Sequence, residues 1–324
     1  MLYLGAEAAV RGASGLARRA GLPAFALGAI LFGVDIEGLG AALTAAGRGE
    51  TEIAAGESFG TVLFLFTAAF GAALLLARGP VPAPSATMLA TPALGVAAAA
   101  LVISDRHVSR AEGILLVFLY VAYVVFVVWE GARERAHRGD PRAADLGGTT
   151  VRPSPHLPLD PAPERPPPDA APVAERRAAL PTAALTLAGL GILFVGAALL
   201  VSGGVRFAGR VGLASGFVGA AILGTLTSLD EVLLEVLPVR RGDPELATGN
   251  LLGTIAAFTT GVLGLAALVR PLDLDGGANL AFLATAVLYA MIATTFFVRG
   301  RAGRGLGLAV LSVYVVWLVF ASTV

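Results

Sequence analysis

Acidic side chains stand in this sequence where apolar ones are the rule. Asp35 and Glu37 interrupt the apolar stretch 22–46, and Asp230 and Glu231 interrupt 211–237. Glu235 follows one helical turn after Glu231, on the same face. A charge at the centre of a membrane helix costs about 2.5–3.5 kcal/mol on insertion scales. Four such charges would cost roughly 10 kcal/mol, as much as the whole stability of a domain. They are therefore expected to face a polar interior and to hold something positive: a metal cation, a proton, or each in turn. Hydroxyls lie close by in sequence at Thr225, Thr227, Ser228, Thr61 and Thr254. Carboxylate, hydroxyl and carbonyl oxygens form a hard ligand set, suited to Ca²⁺, Na⁺ or Mn²⁺. Any one hydroxyl taken alone is better explained by a bond back to its own helix. Glu57 and Asn250 occupy matching places at the expected starts of two helices, where each is either an N-terminal cap or a ligand at the edge of the site.

The elements that must position these groups are membrane helices. Of 324 residues, 56% are apolar and only 14% charged, and the mean hydropathy is +0.80. A soluble domain carries about 25% charged residues, so this chain is expected to be solvated by lipid, as an all-α polytopic membrane protein. Stretches long enough to span a bilayer lie at 22–46, 58–77, 85–104, 112–130, 180–202, 211–237, 247–269, 278–298 and 305–322. A tenth at 2–20 is interrupted by Glu7, Arg11, Arg18 and Arg19, so it is either a span or an interfacial helix. The runs lack period-two alternation, which argues against strands. The formal net charge of zero gives no reason to expect nucleic acid as a partner. The absence of cysteine excludes disulfides and thiolate metal sites, and His107, His137 and His156 fall in or near polar connections. No basic segment precedes the first apolar run, so no cleavable signal peptide is expected.

Between 131 and 179 the composition turns to proline and arginine, which is expected to make a linker rather than a core. It divides a first transmembrane repeat, 1–130, from a second, 180–324. Its arginines place it in the cytoplasm by the positive-inside bias. Five preceding helices then put the N-terminus outside, in a multi-pass protein of the plasma (inner) membrane.

The halves are related. A shift of 193 aligns Arg48, Gly49, Glu52, Ala54, Gly56, Gly60 and Thr61 with Arg241, Gly242, Glu245, Ala247, Gly249, Gly253 and Thr254, without a gap. Upstream, a shift of 191 matches Gly21-Leu22 and Gly28 to Gly212-Leu213 and Gly219. An odd number of helices in each half inserts the two copies in opposite senses. Such inverted repeats belong to transporters that bind substrate at the midplane, where broken helices offer backbone carbonyls. Gly33, Gly38, Gly40, Gly56 and Gly60 in the first half and Gly224, Gly249 and Gly253 in the second are candidate breaks.

These residues resemble the membrane region of the sodium/calcium exchanger superfamily, the cation/Ca²⁺ antiporters. In that family each repeat carries Gly-Thr-Ser-x-Pro-Glu, then an Arg-Gly turn, then Gly-Asn-x-x-Gly-Ser-Asn. Here the second half reads Thr227-Ser228-Leu229-Asp230-Glu231, Arg241-Gly242 and Gly249-Asn250-Leu251-Leu252-Gly253-Thr254. The first reads Gly33-Val34-Asp35-Ile36-Glu37-Gly38, Arg48-Gly49 and Gly56-Glu57-Ser58-Phe59-Gly60-Thr61. The segment 4–23 is similar to the family's first helix. The resemblance implies ten helices in two inverted five-helix repeats, alternating access, Glu231 as the ion-binding glutamate, and Thr227, Ser228, Thr61 and Thr254 as hydroxyl ligands. It also marks departures. The first half's glutamate position is Gly38, with a carboxylate one residue earlier, and the Asn/Asp ligand positions are Leu65 and Phe258.

The function expected is secondary cation antiport: Ca²⁺ or a similar cation for Na⁺ or H⁺, with no cofactor beyond the transported ions. The alternative is a degenerate, non-transporting scaffold or sensor of the same fold, favoured by Leu65 and Phe258. An intramembrane hydrolase built on Asp35 and Asp230 has no accompanying motif, so no enzyme activity is expected.

Overall fold

The computed structural model describes residues 1–19, 23–33, 35–138, 171–210, 228–274 and 276–321. These are almost wholly helical: α1 (Leu2–Arg19), α2 (24–32), α3 (Ile36–Arg48), α4 (Thr51–Leu76), α5 (Ala86–Val102), α6 (Arg110–Arg138), α7 (Ala171–Arg210), α8 (Leu229–Arg241), α9 (Pro244–Val269), α10 (Gly276–Arg299) and α11 (Arg304–Ala321). Among the described residues seven helices are long and apolar enough to cross a membrane, the broken pair α2–α3 counting as one. α6 runs on to Arg138 and α7 begins at Ala171, so helix reaches into both ends of the proline-rich segment. Leu94, Leu101, Phe118, Val287 and Phe297 are exposed, as lipid-facing side chains are. The stretch expected to span as 211–237 is described only from Ser228 onward.

Contrary to the expectation of no strands, two short antiparallel ladders join the connections. β1 (Val81–Pro82) pairs with β4 (Arg301–Ala302), and β2 (His107–Val108) pairs with β3 (Leu272–Asp273). Two residues are too few to leave a periodic signal in sequence. The ladders nonetheless constrain topology, because paired strands must lie on the same side of the membrane. Between β1 and β4 the chain makes five of the seven crossings, and between β2 and β3 it makes three. Both numbers are odd, so each pairing requires a crossing beyond these seven helices. At β2, His107 Nδ1 bonds the Asp273 carboxylate at 2.8 Å, which raises the histidine's pKa. The stabilisation from this clasp is complete at acid pH and fades as pH rises through that raised pKa.

The 193-residue register reappears as local structure. α3 and α8 both end on a left-handed glycine, Gly49 (φ 87°) and Gly242 (φ 85°). Each closes its helix with the same pair of bonds: Gly49 N to Ala46 O and Glu50 N to Ala45 O, Gly242 N to Val239 O and Asp243 N to Pro238 O. The next helix restarts at Thr51 and at Pro244, and each then widens into a π-turn, Leu65–Ala69 and Ala257–Val262. Thr67 and Thr260, equivalent in the two π-turns, bond back to their own helices. The left-handed conformation costs a side-chain-bearing residue about 1–2 kcal/mol. Gly242→Ala should therefore lower the thermal midpoint of the detergent-purified protein by an amount corresponding to about 1 kcal/mol. An unchanged midpoint would mean this turn does not need glycine.

α1 lies antiparallel along the spanning part of α7, not across it. A Cβ on Gly5 would meet the Leu193 backbone, one on Gly12 the Thr186 backbone, and one on Gly189 the backbone of Ala8 and Ala9. Gly5, Ala6, Ala9, Val10 and Ala13 form the buried face. Small residues let membrane helices approach backbone to backbone, where packing replaces the missing hydrophobic drive. The same device joins the two halves at a second crossing. Gly28 abuts the Leu246 backbone, Gly249 the backbone of Phe25 and Ala29, and Gly253 the backbone of Ala29.

Candidate functional site

The span expected as one helix over 22–46 is broken, and the acids sit at the break. α2 closes with a π-turn, Gly28–Phe32, and ends at Gly33; α3 begins at Ile36. Asp35 stands between them and caps α3, accepting a bond from Glu37 N at 2.9 Å. From the other half, Ser228 precedes α8, and Asp230 and Glu231 fill its first turn. The acids thus lie at helix N-termini, where the backbone dipole favours negative charge.

Asp35, Asp230 and Glu231 line one cavity of about 340 Å³, walled by Leu31, Phe32, Leu190, Phe194 and Leu234. Asp230 is within repulsive range of Asp35 and Glu37, and Glu231 of Asp35, Asp230 and Glu235. Glu57 on α4 is within the same range of Asp35 and Glu37. Carboxylates from both halves therefore converge. The ion pairs among the described residues involve Glu7, Asp243, Glu130 and Asp273, and none of the converging acids. Asp230 Oδ1, Glu231 Oε2 and Thr254 Oγ1 are buried without a hydrogen-bond partner. These are hard oxygen acceptors with no donor, a set a cation would satisfy. Among the described residues no three Asp, Glu or His side chains close around one point tightly enough to cage a metal ion.

One of the two readings of Glu57 and Asn250 needs correction. Glu57 and Asn250 are not N-caps, because α4 and α9 begin at Thr51 and Pro244 and leave both residues in the second turn. The glycines at 49 and 242, with proline at N1 of α9, were the sequence signals for those earlier starts. Thr61 is part-buried one turn after Glu57, and Ser228 makes no side-chain cap bond. Thr225 and Thr227 lie outside the described residues.

Glu235 is a buried acid that the sequence did not mark as a ligand. It is fully buried and accepts a bond from Asn250 Nδ2 at 3.0 Å. The two are 15 residues apart on different helices, and only the Gly242 turn brings them together. A second long-range feature accounts for the departures at 38 and 258. A Cβ on Gly38 would stand 2.5 Å from Asp35 Oδ2 and 2.9 Å from Phe258 Cζ. The buried Phe258 ring thus fills the room that a side chain at 38 would need, and Asp35 supplies the carboxylate from beside it.

The sequence profile of the sodium/calcium exchanger protein family matches residues 1–129 and 182–323. CaxA of Alkalimonas amylolytica, named as a candidate antiporter, is 25% identical over 287 residues, covering 86% of this chain and 80% of its own. The inner membrane protein YrbG of Escherichia coli K12 is 27% identical over 220 residues, 67% of this chain and 60% of its own. A structure of the sodium-calcium exchanger NCX_Mj, soaked with 10 mM Na⁺ and no Ca²⁺, superposes with a TM-score of 0.77 at 19% identity, over 97% of this chain and 93% of that one. That likeness is one of fold. The profile covers both halves and skips the proline-rich segment between them, and on that coverage the chain belongs to the sodium/calcium exchanger protein family.

Proposed function

We propose that the chain is a secondary active cation antiporter, exchanging Ca²⁺ or a similar hard cation for Na⁺ or H⁺ by alternating access. The observation that carries this reading is a set of buried and half-buried carboxylates drawn from both halves, with unpartnered oxygens on Asp230 and Glu231 and, among the described residues, no ion pair to a basic side chain. Such a set is costly unless it holds a cation for part of the cycle. Asp35, Asp230 and Glu231 bind the driven cation in the cavity. Glu37, Glu57, Thr61 and Ser228 act at its edge, and the family resemblance implies a further hydroxyl ligand at Thr227, which lies outside the described residues. The two halves act as inverted repeats joined by a cytoplasmic linker over 131–179, with the N-terminus outside and the plasma membrane as the site of action.

The test is ⁴⁵Ca²⁺ uptake into proteoliposomes under an imposed Na⁺ gradient and, separately, an imposed pH gradient. Uptake above protein-free vesicles under one gradient and not the other supports the antiporter and names its counter-ion. The non-transporting scaffold is the second reading, favoured by the apolar Phe258 and Leu65 where the family carries ligands. Absence of Ca²⁺, Mn²⁺ and Na⁺ flux from folded protein under both gradients would establish it instead.

A further inference from the structure

We propose that Glu235 and Asn250 form a second cation subsite, one helical turn from the cavity, which takes a monovalent hard cation of the Na⁺ type. Its place in a transport cycle rests on the antiporter reading above; its existence as a binding site does not.

Asn250 Nδ2 donates to Glu235 Oε1, and both side chains are fully buried. That bond leaves Glu235 Oε2 and Asn250 Oδ1 without partners, and Thr254 Oγ1, one turn further along the same face of α9, has none either. Turning the amide over would set Asn250 Oδ1 against Glu235 Oε1, acceptor against acceptor, so the orientation in which Nδ2 donates is the favoured one. Each unpaired buried polar atom is costly, and a cation bound beside the Glu235–Asn250 pair would relieve those it reaches.

Among the described residues no basic side chain forms an ion pair with Glu235. On the same helix stand Asp230 and Glu231, and Arg240 and Arg241 at its far end; Arg241 is engaged by Glu7 of α1. Also on α1, Arg11 is paired with Glu7 and Arg18 with Asp243. α9 contributes Glu245 in its first turn. The stretches 65–77 of α4 and 180–205 of α7 carry no charged residue.

The donor set is one carboxylate, one amide oxygen and one hydroxyl. It has a single negative charge, where Ca²⁺ takes six to eight oxygens and typically several carboxylates. Glu235 is not among the residues lining the cavity, yet its charge repels that of Glu231. A cation on Glu235 therefore weakens the field that holds a cation at Glu231, which is the coupling an exchanger needs. The same shift of 193 sends Glu235 to Ala42 and Asn250 to Glu57, so the first half has no such pair and the subsite serves one half only.

The test measures Na⁺ binding to the purified full-length protein by the Na⁺-dependent rise in thermal midpoint, with Tl⁺ density in crystals as a direct view. Glu235→Gln should weaken the apparent Na⁺ affinity roughly tenfold or more, and Asn250→Ala should do the same. The Ca²⁺-dependent rise should persist in Glu235→Gln and be lost in Glu231→Gln. Unchanged Na⁺ affinity in folded Glu235→Gln overturns the subsite. So does a wild-type protein that responds to acid pH and not to Na⁺, which would make the pair a proton carrier. If Glu235→Gln does not fold, Tl⁺ density between Glu235 and Asn250 in the wild type decides: its presence supports the subsite and its absence overturns it. Na⁺ binding intact in a protein without flux removes the antiporter reading and leaves the subsite standing.

Discussion

Glu231→Gln should cut gradient-driven Ca²⁺ uptake about a hundredfold, to the level of protein-free vesicles. Glu231 is 4% exposed, its Oε2 has no protein partner, and it lines the cavity with acids from both halves. Removing one member of a buried charge contact costs about 3 kcal/mol, which is roughly a hundredfold in affinity. Glutamine keeps the shape and the hydrogen-bonding reach, so the loss reports on charge rather than packing. Initial uptake rates in proteoliposomes, with the variant's thermal midpoint measured alongside, separate loss of binding from loss of fold. Wild-type uptake by a well-folded Glu231→Gln protein would take Glu231 out of the site.

The largest effect on stability should come from Gly249→Val. A Cβ there meets the Phe25 carbonyl and stands 3.0 Å from Ala29 N, and both obstacles are backbone. A flexible side chain could turn away; a helix backbone cannot, so α2 and α9 must separate. Overpacking of this kind costs about 3 kcal/mol or more, and the separation would also displace Asp35, which follows α2 directly. The expected result is a sharply lowered thermal midpoint and little folded protein in detergent, with Gly249→Ala less severe. A midpoint within error of wild type for valine would mean the two helices do not cross this closely in the membrane.

The parts of this protein that were legible in sequence are those written in local chemistry. Apolar run length marked the helices, and the cost of charge in lipid singled out Asp35, Asp230 and Glu231, which the structure brings to one cavity. The matched Arg-Gly turns at 48–49 and 241–242 indicated where helices end, and both glycines are left-handed. What was not legible depends on tertiary contact. Glu235 read as one more acid in α8, and only the packing of α8 on α9 gives it Asn250. Glu57 and Asn250 looked like caps because apolar run length placed the helix starts too late, whereas polar first turns beginning at Thr51 and Pro244 belong to the same helices. The ladders are too short to have any sequence period.

The contact between Gly38 and Phe258 also constrains how this site can change. While the Phe258 ring stands where a side chain at 38 would begin, every single substitution of Gly38 meets an occupied space. A side chain at 38 therefore requires the Phe258 ring and the Asp35 carboxylate to give way, and a smaller residue at 258 would make that room while opening a void in the core, which carries its own penalty. The two positions, 220 residues apart in sequence, are coupled through one contact, so substitutions at them should not be additive in stability.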